Sequence, residues 1–304
     1  MNILITGGRG YLGRYIVEKL LNEGHTVINY SRDMQLAFEN PKNIFVFGEL
    51  YDIPRLILTI QKYNVDRIIH TAAQSHPDVS LDVPFATVEA NIMGSMGIFE
   101  AARLTGVKRV VCYSSECAYG NTTAEVMDES HPLCPTTPYG VTKATNEMMA
   151  RAYNNCFGTD FIALRVGQVY GPGQVMQEFI RDAIKAAVKG EKFVLDRGRD
   201  QKFQLVHVTD AVNASVKACF AEKRNDLSVY NITSGYQPTF GEILSSLQEI
   251  IPSAEFEVGS GDLGYDVNGI FSIEAAKRDL GYVPAVKLID GLKEYVAWLQ
   301  KSDY

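Results

Sequence analysis

The 304-residue sequence lacks most of what marks a secreted, metal-bound or nucleic-acid-binding chain. Its five cysteines, Cys112, Cys117, Cys134, Cys156 and Cys219, are odd in number, scattered and without a C-x-x-C pair. Neither a disulfide framework nor a zinc site is indicated; no metal is expected, and a reducing cytoplasm fits. Basic residues are in deficit, 29 Lys and Arg against 36 Asp and Glu. A chain without a basic stripe is a poor partner for a phosphate backbone, so nucleic acid is not expected. No apolar run approaches the roughly 18–20 residues that span a bilayer, so no membrane partner is expected. Met1-Asn2-Ile3-Leu4-Ile5 opens straight into a strand-like run, without the basic and then apolar segments of a signal peptide. Repeats and low-complexity stretches are also missing. The expectation is an ordinary cytoplasmic globular protein.

What is present is alternation. Short runs rich in Ile, Val and Phe read as strands at Asn2–Thr6, Thr26–Tyr30, Ile44–Phe47, Arg67–His70, Arg109–Tyr113 and Phe161–Arg165. Helix-period segments lie between them at Tyr11–Asn22, Asp52–Tyr63, Pro84–Thr105 and Pro138–Cys156. Strand–helix alternation predicts an α/β fold: a Rossmann-type, doubly wound parallel sheet with helices on both faces. The pattern loosens after Tyr170. Helices are predicted over Val175–Lys189, Thr209–Phe220, Phe240–Ile251, Ile273–Leu280 and Leu288–Gln300, with short strands at Lys192–Leu195 and near Val229–Ile232. The reading is a dinucleotide-binding domain over 1–166, with 204–228 returning to it, and a smaller C-terminal α/β substrate lobe over 167–304. A small ligand belongs in the cleft between them.

The first predicted strand runs into Gly7-Gly8-Arg9-Gly10-Tyr11-Leu12-Gly13, and a helix follows at once. The spacing satisfies G-x-G-x-x-G. Such a chain turns tightly, lets a pyrophosphate approach the backbone and packs helix on strand without an intervening Cβ. The anion then rests on the unpaired N–H groups of the helix N-terminus. The position between strand and helix is the confirming context. An acid for the ribose 2′-hydroxyl is expected roughly 20 residues on. Ser31 stands there, followed by Arg32, with Asp33 able to take the acid's place. A hydroxyl and a guanidinium suit a 2′-phosphate, so the expectation leans to NADP over NAD.

Tyr139-Gly140-Val141-Thr142-Lys143 begins a predicted helix after Pro138. Residues four apart share a helix face, so phenol and ammonium can converge. A nearby ammonium, together with the positive nicotinamide ring, is expected to lower the phenol pKa and make it a base, with Ser115 orienting the substrate oxygen.

Together these motifs resemble the extended short-chain dehydrogenase/reductases, in particular the NAD-dependent epimerase/dehydratase group. The resemblance is carried by Thr6–Gly13, His70-Thr71-Ala72-Ala73-Gln74-Ser75-His76, Asn91-Ile92-Met93-Gly94, Ser114–Gly120, Tyr139–Lys143, Tyr170-Gly171-Pro172-Gly173 and Val206–Asp210. It implies Ser115, Tyr139 and Lys143 as the catalytic set. It also implies a cofactor over Gly7, Gly10, Tyr11, Leu12 and Gly13, with Ser31 and Arg32 at one end and Ala72, Ala73, Tyr139 and Lys143 along it. The substrates implied are nucleotide sugars oxidised transiently at C4, and the assembly implied is a homodimer through Pro84–Thr105 and Pro138–Cys156.

Within the group the markers diverge. The Ala73–His76 stretch resembles the 4,6-dehydratases, whose glutamate base is Cys117 here, beside Glu116. A cysteine at that position resembles the GDP-fucose synthases and GDP-mannose 3,5-epimerases, where it is the carbon base; the alternative is a thiol that packs. Gln168 and Phe203 replace the group's usual Asn and Arg, leaving Arg181, Arg197, Arg199 and Lys202 as candidate cations for a diphosphate. His76 and Tyr119 are the further candidates for substrate contact, and His207 reads as structural. The leading expectation is a nucleotide-sugar epimerase. The alternatives are an NADPH-dependent 4-keto-sugar reductase, a 4,6-dehydratase, a reductase of a non-sugar carbonyl, or a cofactor-binding regulator that kept the fold and lost catalysis.

Overall fold

The computed structural model describes residues 1–32, 40–222 and 224–302. The candidate acid Asp33 lies outside them. One parallel sheet carries the fold, built from β1 (Asn2–Thr6), β2 (Thr26–Ser31), β3 (Asn43–Phe47), β4 (Arg67–His70), β5 (Arg109–Ser115), β6 (Phe161–Val166) and β7 (Val229–Ile232). Across the sheet they run β7-β6-β5-β4-β1-β2-β3. The order reverses between β1 and β4, which pair in register from Ile3 opposite Arg67 to Thr6 opposite His70. A crevice opens beyond the carboxyl ends of strands at such a reversal, and a ligand is expected there.

Each sheet face buries its own apolar core. Ile3, Ile5 and Val111 pack with Ile16, Val17 and Leu20 of the Tyr11–Asn22 helix and with Val212 and Val216 of the Val208–Phe220 helix. On the other face Leu4, Ile28, Ile68 and Val110 pack with Leu56, Ile98, Phe99 and Ala150 of three further helices. The runs are apolar without alternation because both faces are covered.

Two segments assigned from sequence to the smaller lobe belong to the sheet. Val229–Ile232 is its edge strand, paired with Ala163–Val166, so the returning chain extends beyond residue 228. Ala276 and Leu280 of the Glu274–Leu280 helix enter the first core. More than sixty residues separate β6 from β7 (about that many by numbering), and local periodicity carries no signal for pairing over such a span. The lobe proper has its own core, where the helices Phe179–Lys189, Phe240–Ile250 and Leu288–Leu299 meet around Ile184, Leu244 and Tyr295.

One predicted helix is broken. Pro84–Thr105 resolves into Pro84–Val88, a π-helical turn over Glu89–Met93 and Gly94–Thr105. Asn91 sits in the π turn, and its side chain bonds across to the neighbouring loop and helix. A widened turn of this kind often marks a functional site.

Among the described residues, no helix is long and apolar enough to cross a membrane.

Candidate active site

A cavity of ≈ 1090 Å³ runs through the crevice, from the glycine turn past Ala72 and Ala73 to Ser115, Tyr139 and Lys143, and on to Gln168, Lys202 and Tyr265. The glycine turn has little room for side chains. Gly7 holds φ +69°, and a Cβ there would stand 2.8 Å from the Ala72 nitrogen. At Gly13 a Cβ would come within 2.1 Å of the Gly7 carbonyl oxygen. The helix begins at Gly10 without a side-chain cap, which leaves its first N–H groups to an external acceptor. Ser114, 3% exposed, lines the same cavity, and among the described residues its hydroxyl has no hydrogen-bond partner. A bare helix N-terminus, backbone that excludes Cβ atoms and an orphaned buried hydroxyl fit a dinucleotide. Tyr11 lines the turn and donates from its hydroxyl to the Gly171 carbonyl at 3.1 Å, tying the Tyr170–Gly173 loop over the site.

Ser115 ends β5, and Tyr139 and Lys143 lie on the Pro138–Phe157 helix. That helix starts where it does because Thr137 caps it, accepting from the Gly140 N–H at 3.1 Å, with Pro138 in the first turn. The Tyr139 N–H is taken by the Ser80 hydroxyl at 3.1 Å. A buried polar chain then fixes the helix against the loop after β4. The Asn91 side chain bonds both main-chain groups of Gln74 and the Thr142 hydroxyl, and Asn146 bonds the Asn91 carbonyl and Ser95. His70 closes the chain between Thr6 at 2.7 Å and Ser95 at 3.1 Å. Burial drives its pKa down to about 3, so it is a neutral strut. Ser80, Asn91 and Asn146 were not singled out as positioning residues from sequence. The available signal was an Asn inside an otherwise apolar helical pattern, where it weakens the helix unless its side chain has a partner.

Ser115 and Tyr139 line the same stretch of the cavity, with the Ser115 hydroxyl accepting from the Cys117 N–H at 3.3 Å. The Lys143 ammonium lies 5.4 Å from the Tyr139 ring centre and donates to the Tyr113 carbonyl at 3.2 Å. Burial, followed by the Cys117 thiol, holds Tyr139 well above the ordinary phenol range. Burial also brings Lys143 down to about 8. Desolvation of the phenolate outweighs an ammonium whose hydrogen bond points elsewhere.

Cys117 and Glu116 line the cavity beside Ser115. Burial, then the neighbouring Glu116, pushes the thiol up to about 12. Burial, then Asp266, pushes Glu116 up to about 8.

His76, Gln168 and Lys202 line the cavity as expected from sequence. His76 contacts the Gln177 carbonyl at 3.2 Å, and Gln168 donates to Glu178 at 2.9 Å. Two other candidates for substrate contact are turned away. Tyr119 is 1% exposed and receives Arg165 Nη1 at 2.6 Å, while Arg165 is clamped by Glu147 at 2.7 Å. It is part of a buried brace under the site. Arg181 gives its main-chain N–H to Glu178 at 2.7 Å, and its side chain points to Asp182; neither Tyr119 nor Arg181 lines the cavity. Arg199 faces a separate shallow pocket with Glu242. His207, 2% exposed, packs edge-on against Tyr170.

The sequence matches the profile of the NAD dependent epimerase/dehydratase family over residues 3–233. The chain belongs to that family. It is 28% identical over 320 residues to a dTDP-glucose 4,6-dehydratase of Actinoplanes sp., with 99% of this chain and 98% of that one covered. Its fold superposes on the UDP-glucose 4-epimerase of Thermotoga maritima, solved with UDP-glucose, at a TM-score of 0.89 and 27% identity, covering 99% of both chains. It also superposes on the Thermus thermophilus UDP-glucose 4-epimerase, solved with NAD, at a TM-score of 0.87 and 25% identity, again over 99% of both. Relatives on both sides of the comparison are thus nucleotide-sugar enzymes, epimerases and 4,6-dehydratases alike.

Proposed function

We propose that this protein is a nucleotide-sugar 4-epimerase. The observation that carries the reading is one continuous cavity lined at one end by the glycine turn and at the other by Ser115, Tyr139 and Lys143. Gly7, Gly10 and Gly13 would hold the cofactor's pyrophosphate, Ser31 and Arg32 its adenosine end, and Ala72, Ala73 and Lys143 its nicotinamide end. A bound nicotinamide dinucleotide supplies a hydride acceptor and donor for the sugar's C4. Tyr139 accepts the C4-hydroxyl proton and later returns one to the carbonyl oxygen, while Ser115 orients that oxygen. Lys143 adds positive charge behind the phenol. His76, Gln168 and Lys202 contact the substrate.

Epimerisation is preferred to loss of water because elimination needs a second base to remove a proton from carbon. At the position that resembles the dehydratases' glutamate base this chain carries the thiol of Cys117 in place of a carboxylate. Mass spectrometry of UDP-glucose treated with the NAD-loaded enzyme tests the choice: an isomer supports the reading, and a product lighter by one water overturns it.

The reading takes NAD rather than NADP as cofactor. Arg32 lies 3.8 Å from the Glu49 carboxylate at the end of β2, so a 2′-phosphate there would meet negative charge as well as positive. A tighter dissociation constant for NADP than for NAD would contradict this. The working unit is a homodimer through the Pro84–Thr105 and Pro138–Phe157 segments, supported by exposed Phe85, Met93, Val141 and Met148. Five unpaired cysteines support a cytoplasmic setting.

A further inference from the structure

Residues 171–178 connect the short strand Gln168–Tyr170 to the Phe179–Lys189 helix and lie in no strand or helix themselves. Side chains from elsewhere hold them by their main-chain carbonyls. The Tyr11 hydroxyl donates to the Gly171 carbonyl at 3.1 Å, and the Tyr15 hydroxyl to the Pro172 carbonyl at 2.8 Å. The Tyr295 hydroxyl donates to the Gln174 carbonyl at 2.9 Å. His76 Nε2 lies 3.2 Å from the Gln177 carbonyl oxygen. The segment's own main chain adds a turn, from the Gln174 N–H to the Gly171 carbonyl at 3.2 Å.

The tethers come from opposite walls of the crevice. Tyr11 and Tyr15 stand one turn apart on the Tyr11–Asn22 helix, which follows the glycine turn after β1. His76 caps the short Pro77–Asp82 helix at the end of the loop after β4. The sheet order reverses between β1 and β4, so the loops that follow these two strands bound the crevice where a dinucleotide lies. Residues 171–178 thus run as a strap from one bounding loop to the other, with Tyr295 of the smaller lobe as a third support. Gln174 and Met176 of the strap line the same cavity as Gly10 and Leu12.

We propose that this strap controls entry and exit of the nicotinamide dinucleotide, and that Tyr15 and Tyr295 are positioning residues that hold it across the crevice. The proposal rests on the cofactor reading and adds a barrier supplied by the chain itself. The proposed reaction passes a hydride to the cofactor and takes it back, so a cofactor lost between the two transfers would strand an oxidised sugar. Side-chain tethers suit such a barrier. Each hydrogen bond biases an equilibrium by about two- to tenfold, so several hold the strap together while each is weak enough to break. The tethers join protein to protein, not protein to cofactor, and therefore slow entry as well as exit.

The test follows NADH binding to the full chain by stopped-flow fluorescence, and its displacement by excess NAD. The variants are Tyr15→Phe, Tyr295→Phe and the pair together, which remove the donors and keep the rings; Tyr11 and His76 stay intact because they line the cavity. Association and dissociation rate constants are both expected to rise by about two- to tenfold in each single variant, and further in the double variant, so that Kd changes less than either rate. Amide hydrogen exchange is expected to quicken over residues 171–178 and to stay unchanged over Phe161–Val166. Unchanged rates in the double variant would overturn the proposal, as would a rise in dissociation alone. So would exchange that quickens equally in Phe161–Val166, which marks a general loss of stability. These outcomes leave the cofactor reading intact. If the wild type binds neither NADH nor NAD, that reading fails and this inference goes with it.

Discussion

Lys143 stands behind Tyr139, 5.4 Å from the ring centre, with its own hydrogen bond committed to the carbonyl of Tyr113. The Ser115 hydroxyl group belongs to the same stretch of cavity wall as the phenol. The pair therefore divides its work. In the proposed reaction Ser115 and Tyr139 handle the proton, and Lys143 biases the charge. Replacing Tyr139 by Phe removes the proton acceptor and keeps the ring. Turnover is expected to fall by at least about 100-fold, while NAD affinity changes by no more than about twofold. Steady-state kinetics with a binding titration checks both. Loss of NAD binding in step with activity would show a structural role instead.

Tyr119 tests the opposite assignment. Its hydroxyl serves Arg165, which is paired with Glu147 where both side chains are 5% exposed. Tyr119→Phe is expected to destabilise the fold by about 1–3 kcal/mol, the cost of an unmet buried partner, and to leave kcat/KM within about twofold. Denaturant unfolding together with kinetics decides it. A tenfold rise in KM at unchanged stability would return Tyr119 to the substrate site.

Two half-buried carboxyls contribute to the pH dependence of stability. Burial raises Glu178 to about 7 and Glu116 to about 8, above the ordinary 4.5. A carboxyl raised on folding contributes stability that is present below its unfolded pKa and lost as pH rises through its folded pKa. The Tm is therefore expected to fall between about pH 5 and pH 8. Glu178→Gln should flatten the part of that fall below about pH 7.5. A wild-type Tm that rises steadily over the same range would contradict the assignment.

The distance between sequence and structure follows the range of the interactions. The glycine turn, β1 to β6 and the Tyr139–Lys143 pair were legible because each rests on a local pattern: a period, a cap or a spacing of four. Phe161–Val166 is one such strand, buried at every position. Val229–Ile232 has equally apolar residues, yet its place at the sheet edge depends on pairing with β6 across the intervening lobe. The site followed the same rule. Ser115 and Lys143 came from motifs. The failures were Tyr119 and Arg181, whose residue types suit substrate contact but whose side chains are claimed by neighbours distant in sequence or by the adjacent Asp182.

The exposed apolar side chains of the two long helical segments give the assembly a direct check. Phe85 is 80% exposed. Phe85→Glu would place a charge in the proposed dimer contact, and the variant is expected to run as a monomer by sedimentation at concentrations where the wild type is a dimer. A wild type that is monomeric throughout, or a variant that still dimerises, would remove this surface from the account.

The central claim is reversible oxidation at C4 by a cofactor held on the glycine turn. It is tested most directly with a UDP-hexose labelled with deuterium at C4 and the NAD-loaded enzyme. The account predicts that both C4 epimers form, that each retains the deuterium, and that reduced cofactor does not accumulate. Deuterium lost to solvent, or retained in a single unchanged epimer, would contradict it.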